Sequence, residues 1–289
     1  MSARLTLPLN DGTTIPWLAF GTGTALYNKE VSAEVLTAIK AGIHHLDGAQ
    51  VYGNEASIGD AIEQSGLPRS SFYVTTKLNT VPAGGTVKNT LVESLKKLKL
   101  DYVDLFLIHT PKTHTNLKDV WKQLEDLKKE GLTKSIGVSN FRVQELKEIL
   151  DGATVVPAVN QIEYHPYVFK ASEPLIEFQK QHNIVTTSFG GLTPVARVPD
   201  GPLKPVLESL AKRLGETRGK PVTTGQVLQV WLRQKGIVAI TTTKRPERLQ
   251  EYLDVETIPD LTPEEVELID KTGSQLHHRV FAKWIDEDP

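Results

Sequence analysis

The chain has 289 residues, with 33 Lys+Arg against 35 Asp+Glu. That near-neutral balance, without a basic block, argues against nucleic acid or an anionic membrane as the main partner, and no apolar run approaches the roughly 20 residues of a spanning helix. Cysteine is absent, which removes disulfides, thiolate metal sites and cysteine nucleophiles together, and residues 1–10 lack the basic start and apolar core of a secretory signal, so a cytoplasmic protein is expected.

In chain order, Leu5 to Leu9 and Thr13 to Ile15 flank Asn10-Asp11-Gly12, a hairpin signal. Eight short apolar runs follow: Leu18-Ala19-Phe20, Ile43 to Leu46, Phe72-Tyr73-Val74, Val103 to Ile108, Ser135 to Val138, Val155 to Val159, Ile184-Val185-Thr186 and Ile237 to Ile240. Several are apolar at consecutive positions, as strands covered on both faces should be. Helical stripes lie between them: Val31, Val35, Ala38 and Ile39; Val87, Leu91, Leu95 and Leu98; Leu117, Val120, Trp121, Leu124 and Leu127. Charged runs such as Lys128-Lys129-Glu130 fall opposite these stripes and read as solvated faces. Eight strand–helix units predict an α/β protein, a (β/α)8 barrel, for which about 250 residues is typical. The hairpin would close its bottom, and two helical stretches, Thr223 to Arg233 and Pro263 to Lys271, exceed the eight-fold count. With no linker-like segment, residues 1–289 are expected to form one domain.

Sites in such barrels occupy the carboxyl ends of the strands. There the sequence puts Asp47 after strand two, Lys77 after strand three, His109 after strand four, Ser139 and Asn140 after strand five, and Asn160 and Gln161 at strand six. Tyr52 lies a few residues past Asp47. A phenol has an ordinary pKa near 10; an adjacent ammonium favours the phenolate, and a carboxylate paired with that ammonium holds it in place. Tyr52, Lys77 and Asp47 can therefore form a tuned general acid, with His109 orienting a substrate oxygen. A carbonyl accepting hydride needs this arrangement.

The donor would not sit on a Rossmann motif, because Gly21-Thr22-Gly23 lacks a third glycine and leads into no clear helix. The barrel offers another phosphate site, in the loops after strands seven and eight. Ser188-Phe189-Gly190-Gly191-Leu192 follows strand seven. Thr241-Thr242-Thr243-Lys244-Arg245-Pro246-Glu247-Arg248 follows strand eight, combining hydroxyls, cations and a Pro-Glu helix start.

LDGAQVYGNE (46–55), VTTKL (74–78), LDYVDLFLIHTP (100–111), KSIGVSNF (134–141) and PAVNQIEYHPY (157–167) together resemble the aldo-keto reductases over nearly the whole chain. The resemblance implies a monomeric barrel that reduces aldehydes or ketones with NADPH, cofactor binding first. It makes Tyr52 the proton donor, Lys77 and Asp47 its tuning pair and His109 the carbonyl-orienting group. Ser139, Asn140 and Gln161 would hold the nicotinamide carboxamide, and Phe189 would stack on its face. Further cofactor contacts are expected from Thr22, Gly23, Gly190, Leu192, Thr241, Thr242, Thr243, Lys244, Arg245 and Arg248.

Departures from the family pattern carry information. Thr242 stands where a lysine is customary, and the cation moves to Lys244 and Arg245, a variant resembling a fungal-type branch that reduces conjugated polyketones and ketopantoyl lactone. Gly48 replaces a usual Thr or Ser. Gly23, Asn79 and Thr110 occupy pocket positions that are commonly tryptophan, so the substrate pocket should be wider and more polar, suited to bulky or cyclic keto compounds. The tail 275–289 should fold across the pocket, with Trp284 facing substrate or bracing the barrel. His277-His278 lacks the partners of a metal site. Two other readings compete: a Schiff-base lyase using Lys77, and a non-catalytic NADPH-binding barrel.

Overall fold

Val103–Ile108 is buried at every position, as a strand must be when helices cover one face and a barrel interior the other. The computed structural model describes residues 5–286; the remaining ends of the expected domain, 1–4 and 287–289, lie outside the described residues. The elements in chain order are β1 (Thr6–Pro8), β2 (Thr14–Pro16), β3 (Leu18–Gly21), α1 (Ser32–Ala41), β4 (His45–Asp47), α2 (Glu55–Ser65), β5 (Tyr73–Leu78), α3 (Val87–Leu98), β6 (Val103–Ile108), α4 (Leu117–Lys129) and β7 (Thr133–Ser139). Then come α5 (Val143–Leu150), β8 (Val159–Glu163), α6 (Phe169–Gln181), β9 (Val185–Phe189), α7 (Thr193–Ala196), α8 (Lys204–Arg218), α9 (Thr224–Gln234), β10 (Val238–Thr241), α10 (Pro246–Asp254) and α11 (Pro263–Gly273). Strands β3 to β10 close into a parallel barrel, β10 pairing back onto β3.

The helices form where the stripes predict. In α4 the buried residues are Leu117, Val120, Trp121, Leu124 and Leu127, one face of a 3.6-residue period, and Asn116 caps the helix by accepting from the Asp119 amide at 3.1 Å. A capping box of Thr86 and Asn89 starts α3.

The hairpin β1–β2 pairs Leu7 with Ile15 and seals the amino-terminal end of the barrel. Leu9 and Ile15 are buried with Leu105, Leu107, Val159 and Val238, the lower filling of the interior. Asp11, in the turn, accepts from Ser135 Oγ at 2.8 Å and Lys128 Nζ at 2.7 Å, tying the plug to β7 and α4.

Two expectations need correction. Each barrel strand begins inside its apolar run or close to it, but most extend past it toward the carboxyl end. The largest displacement is at the sixth, expected at Val155 to Val159 and found at Val159–Glu163. Lys77 consequently lies inside β5, and Asn160 and Gln161 inside β8. The expectation of two extra helices holds, but the helix at Thr223 to Arg233 is not one of them: α9 packs directly on β10, with α8 against α9 and α11 against α8. Residues 226–232 of α9 are accordingly all buried, as a helix covered on both sides should be. No helix among the described residues is long and apolar enough to cross a membrane.

Candidate active site

Asp47 is the last residue of β4, and Lys77 reaches toward it from β5, the neighbouring strand. Lys77 Nζ donates to Asp47 Oδ1 at 2.6 Å and to the Gly48 carbonyl at 2.8 Å, and its side chain has no exposed surface. Asp47 Oδ2 accepts from Gln161 Nε2 at 2.9 Å, so both carboxylate oxygens are engaged. Tyr52 ends a single helical turn, 50–52, that Gly53 closes with φ of 67°, a conformation favouring glycine. Its hydroxyl lies 3.5 Å from Lys77 Nζ, at the limit of a hydrogen bond. The His109 ring, just past β6, meets the Tyr52 ring edge-on at 5.5 Å and 80°. The four residues drawn from separate segments thus converge at one end of the barrel.

Their electrostatics differ in one respect from expectation. The Tyr52 phenol is raised above its ordinary pKa: burial outweighs the downward pull of Lys77, and Asp47 adds to the rise. The hydroxyl is therefore fully protonated at neutral pH. Burial pulls Lys77 down, but Asp47 and Tyr52 more than offset this and hold the ammonium above its ordinary value. A nucleophilic amine must be neutral, so this setting opposes the Schiff-base reading. Burial, with Lys77 adding to it, lowers His109 to about 3, leaving a neutral imidazole.

Beside this group, Asn140 adopts φ of 60°. Its Nδ2 donates to the His109 carbonyl at 2.9 Å and to Ser139 Oγ at 3.1 Å, while its buried Oδ1 has no partner. An orphaned buried acceptor is costly, and a primary amide N–H would satisfy it. Ser139 Oγ donates to the Gln161 carbonyl at 2.8 Å. Gln161, expected to hold a carboxamide, directs one amide N–H to Asp47.

Phe189 ends β9, followed by Gly190 with φ of 69° and Leu192 at the start of α7. At the start of α10, Lys244, Arg245 and Arg248 are exposed, and Thr243 Oγ1 accepts from the Arg245 amide at 3.0 Å. A cationic helix start of this kind fits a phosphate. Two expected cofactor contacts do not fit. Thr22 has no exposed surface and directs its hydroxyl to Asn54 Oδ1 at 3.1 Å. Buried Thr241 donates to the Ala19 carbonyl at 3.0 Å, a bond that closes the barrel. Thr242 is half-buried and donates to the Gly21 carbonyl at 2.6 Å, so its proton is also committed.

Gly23 lies against the Tyr52 ring: a Cβ there would stand 2.9 Å from Tyr52 Cζ. Asn79 and Thr110 are half-buried at the same end, and Thr113 Oγ1 bridges them by donating to the Asn79 carbonyl at 2.8 Å and the Thr110 carbonyl at 3.3 Å. Trp284 sits between two cations, with Lys112 Nζ 4.7 Å and Arg142 Cζ 5.1 Å from its ring. His277 pairs with Asp286 at 2.8 Å, and no group of three His, Asp or Glu side chains among the described residues could hold a metal ion. Open grooves of about 650 Å³ beside α8 and about 420 Å³ under the barrel contain none of these residues.

Sequence reasoning missed Glu163 and His165. Glu163 and His165 are both buried, and Glu163 Oε1 lies 3.1 Å from His165 Nε2. Two ionisable residues two apart at the end of a strand share a face, which was the available signal.

A closed parallel barrel with a buried lysine–carboxylate pair beside a tyrosine and a neutral histidine defines a class of oxidoreductase. A sequence profile of the aldo/keto reductase family matches residues 17–273, and the chain belongs to that family. It is 37% identical over 287 residues to an NAD/NADP-dependent indole-3-acetaldehyde reductase of Schizosaccharomyces pombe, covering 96% of this chain and 98% of that protein. It is 33% identical to an NADPH-dependent alpha-keto amide reductase of Saccharomyces cerevisiae, covering 96% and 93%. A Bombyx mori aldo-keto reductase crystallised with NADP superposes with a TM-score of 0.85 at 30% identity, over 100% of this chain and 99% of that one. An aldo/keto reductase structure from Brucella melitensis gives 0.80 at 34%, over 93% and 100%.

Proposed function

We propose that this chain, as one domain, reduces ketones or aldehydes to alcohols with NADPH, with Tyr52 as the proton donor. One observation carries the reading: a protonated phenol beside a buried ammonium, which a carboxylate holds in place, 2.6 Å away. When bound, the dihydronicotinamide supplies the hydride. Tyr52 and neutral His109 then both offer N–H or O–H donors to the carbonyl oxygen, where negative charge develops. As the Tyr52 proton leaves for that oxygen, Lys77 stabilises the phenolate, and Asp47 keeps Lys77 charged and in place. Asn140 and Ser139 are suited to the carboxamide through the unpartnered Oδ1, and Lys244, Arg245 and Arg248 to the ribose phosphate.

Small side chains at Gly23 and Thr110 support keto substrates that are bulky or cyclic. The test is NADPH oxidation with diketones and lactones against short aldehydes. The larger compounds should give the higher kcat/KM, and Tyr52→Phe should lower kcat by about 10²–10⁴-fold while NADPH affinity is retained. A Tyr52→Phe enzyme with full activity would remove the acid from the scheme.

A further inference from the structure

The carboxyl-terminal tail meets the barrel at a buried charge. Glu163, the last residue of β8, has no exposed surface. Its Oε1 accepts from the Val280 amide at 2.9 Å, and its Oε2 accepts from the Phe281 amide at 2.7 Å. His165, also without exposed surface, adjoins Oε1 at 3.1 Å. Hydrogen bonds to an ionised acceptor are about twice as strong as neutral ones, and two successive amides converging on one carboxylate fix the backbone direction of the tail. That direction has consequences at the mouth. Glu163 is in register with Phe189 on the adjacent strand, and the Phe281 ring meets the Phe189 ring edge-on at 5.7 Å. Arg197, from the segment after α7, also lies over the Phe281 ring at 5.3 Å. Immediately afterwards Ala282 turns with φ of 45°, unusual for a residue with a Cβ, and this turn brings Trp284 between Lys112 and Arg142.

We propose that Glu163 is a positioning residue that latches the tail across the barrel mouth, setting Phe281 against Phe189 and Trp284 against the loops after β6 and β7, and thereby selecting substrates by size. Charge is the essential feature. A glutamine of the same shape offers one acceptor oxygen where the carboxylate offers two, and its amide group would oppose an N–H donor. The substrate element of the proposal rests on the carbonyl-reductase reading above; the latch itself does not.

The experiment measures deuterium uptake at the Val280 and Phe281 amides in the full-length protein, together with steady-state kinetics, for the natural chain and Glu163→Gln. The expected result is uptake at least about tenfold faster at those two amides in the variant, with KM for a bulky diketone raised about tenfold, kcat within about twofold and KM for a short aldehyde changed much less. Ala282→Pro forbids the positive φ and breaks the latch from the tail side without altering the barrel, so it should reproduce the phenotype if Glu163→Gln folds poorly. Equal exchange at the two amides in the natural chain and both variants would overturn the latch. So would a loss of kcat on every substrate with the tail still protected. A natural chain that reduces no carbonyl would defeat the functional reading alone, since the exchange measurement still reports on the tail.

Discussion

Lys77 has no exposed side-chain surface, yet it carries a charge, and the arrangement tolerates this only because Asp47, the Gly48 carbonyl and Tyr52 surround the ammonium. Removing one partner of a buried pair costs about 3–5 kcal/mol, because the remaining charge is left uncompensated, whereas removing both is often nearly neutral. Lys77→Met should therefore lower thermal stability sharply and, by withdrawing the charge that stabilises the Tyr52 phenolate, reduce kcat by at least about 100-fold. The double variant Lys77→Met/Asp47→Asn should recover most of the stability and none of the activity, as read by thermal melts and NADPH oxidation side by side. Recovery of both together would mean that the pair is structural only. The separation is meaningful because Gln161, the other partner of Asp47, can still donate to an amide oxygen in the double variant.

At the scale of elements, the barrel was legible because its strands are apolar where helices and interior filling cover them, and β6 was found at its expected boundaries. The displaced strands share a physical cause. The upper part of β5 reads Thr75-Thr76-Lys77, and β8 reads Val159-Asn160-Gln161-Ile162-Glu163, so the residues aimed at the mouth are polar and do not register as strand by hydrophobicity. The residues that build the site are those that hide the strand ends. Asp47, Tyr52, Lys77 and His109 were legible as candidates, since each follows a recognisable run. That the Tyr52 phenol is raised rather than lowered was not, because burial at that position depends on the packing of the whole mouth. The tail's attachment to Glu163 spans 117 positions, and no local pattern encodes it. The hairpin was legible from Asn10-Asp11-Gly12, and its anchoring permits a test of the division between the two barrel ends. Asp11→Ala removes the acceptor for Ser135, Thr13 and Lys128, deleting part-buried hydrogen bonds worth about 1 kcal/mol each. The melting temperature should fall while kcat and KM at the same temperature stay unchanged, because the catalytic groups lie at the opposite end; an altered kcat would mean that the plug communicates with the mouth.

For the molecule as a whole, two neutral histidines, one buried and one half-buried, set an acid limit on stability. His45, on β4 near the barrel bottom, is 2% exposed and is lowered by burial to about 4, with its ring nitrogens against the Pro16 carbonyl and Thr75 Oγ1. His109 at the mouth is lowered to about 3. Between pH 6.5 and these values the unfolded chain binds protons on both imidazoles that the folded chain does not, so stability rises with pH through this window and is lost as pH falls through it. Above about pH 6.5 neither form is protonated and the contribution is constant. Each tenfold change in proton affinity is worth roughly 1.4 kcal/mol, so His45 alone represents on the order of 3 kcal/mol at full effect. Glu163 and Asp11 act in the same sense at more acid pH. Burial raises both carboxylates, but hydrogen bonds from His165 and the tail amides to Glu163, and from Lys128 to Asp11, more than offset it and hold both below their ordinary values. Melting temperatures should thus be level from pH 8 to about 6.5 and decline steadily toward pH 4. In His45→Phe, which cannot titrate, the decline should be shallower by up to one proton, even if the variant is less stable at pH 7 for want of its two hydrogen bonds. A His45 ring resonance that titrates near pH 6.5 in the folded protein, or a melting temperature that holds level down to pH 4.5, would show that these imidazoles are not held in the neutral form.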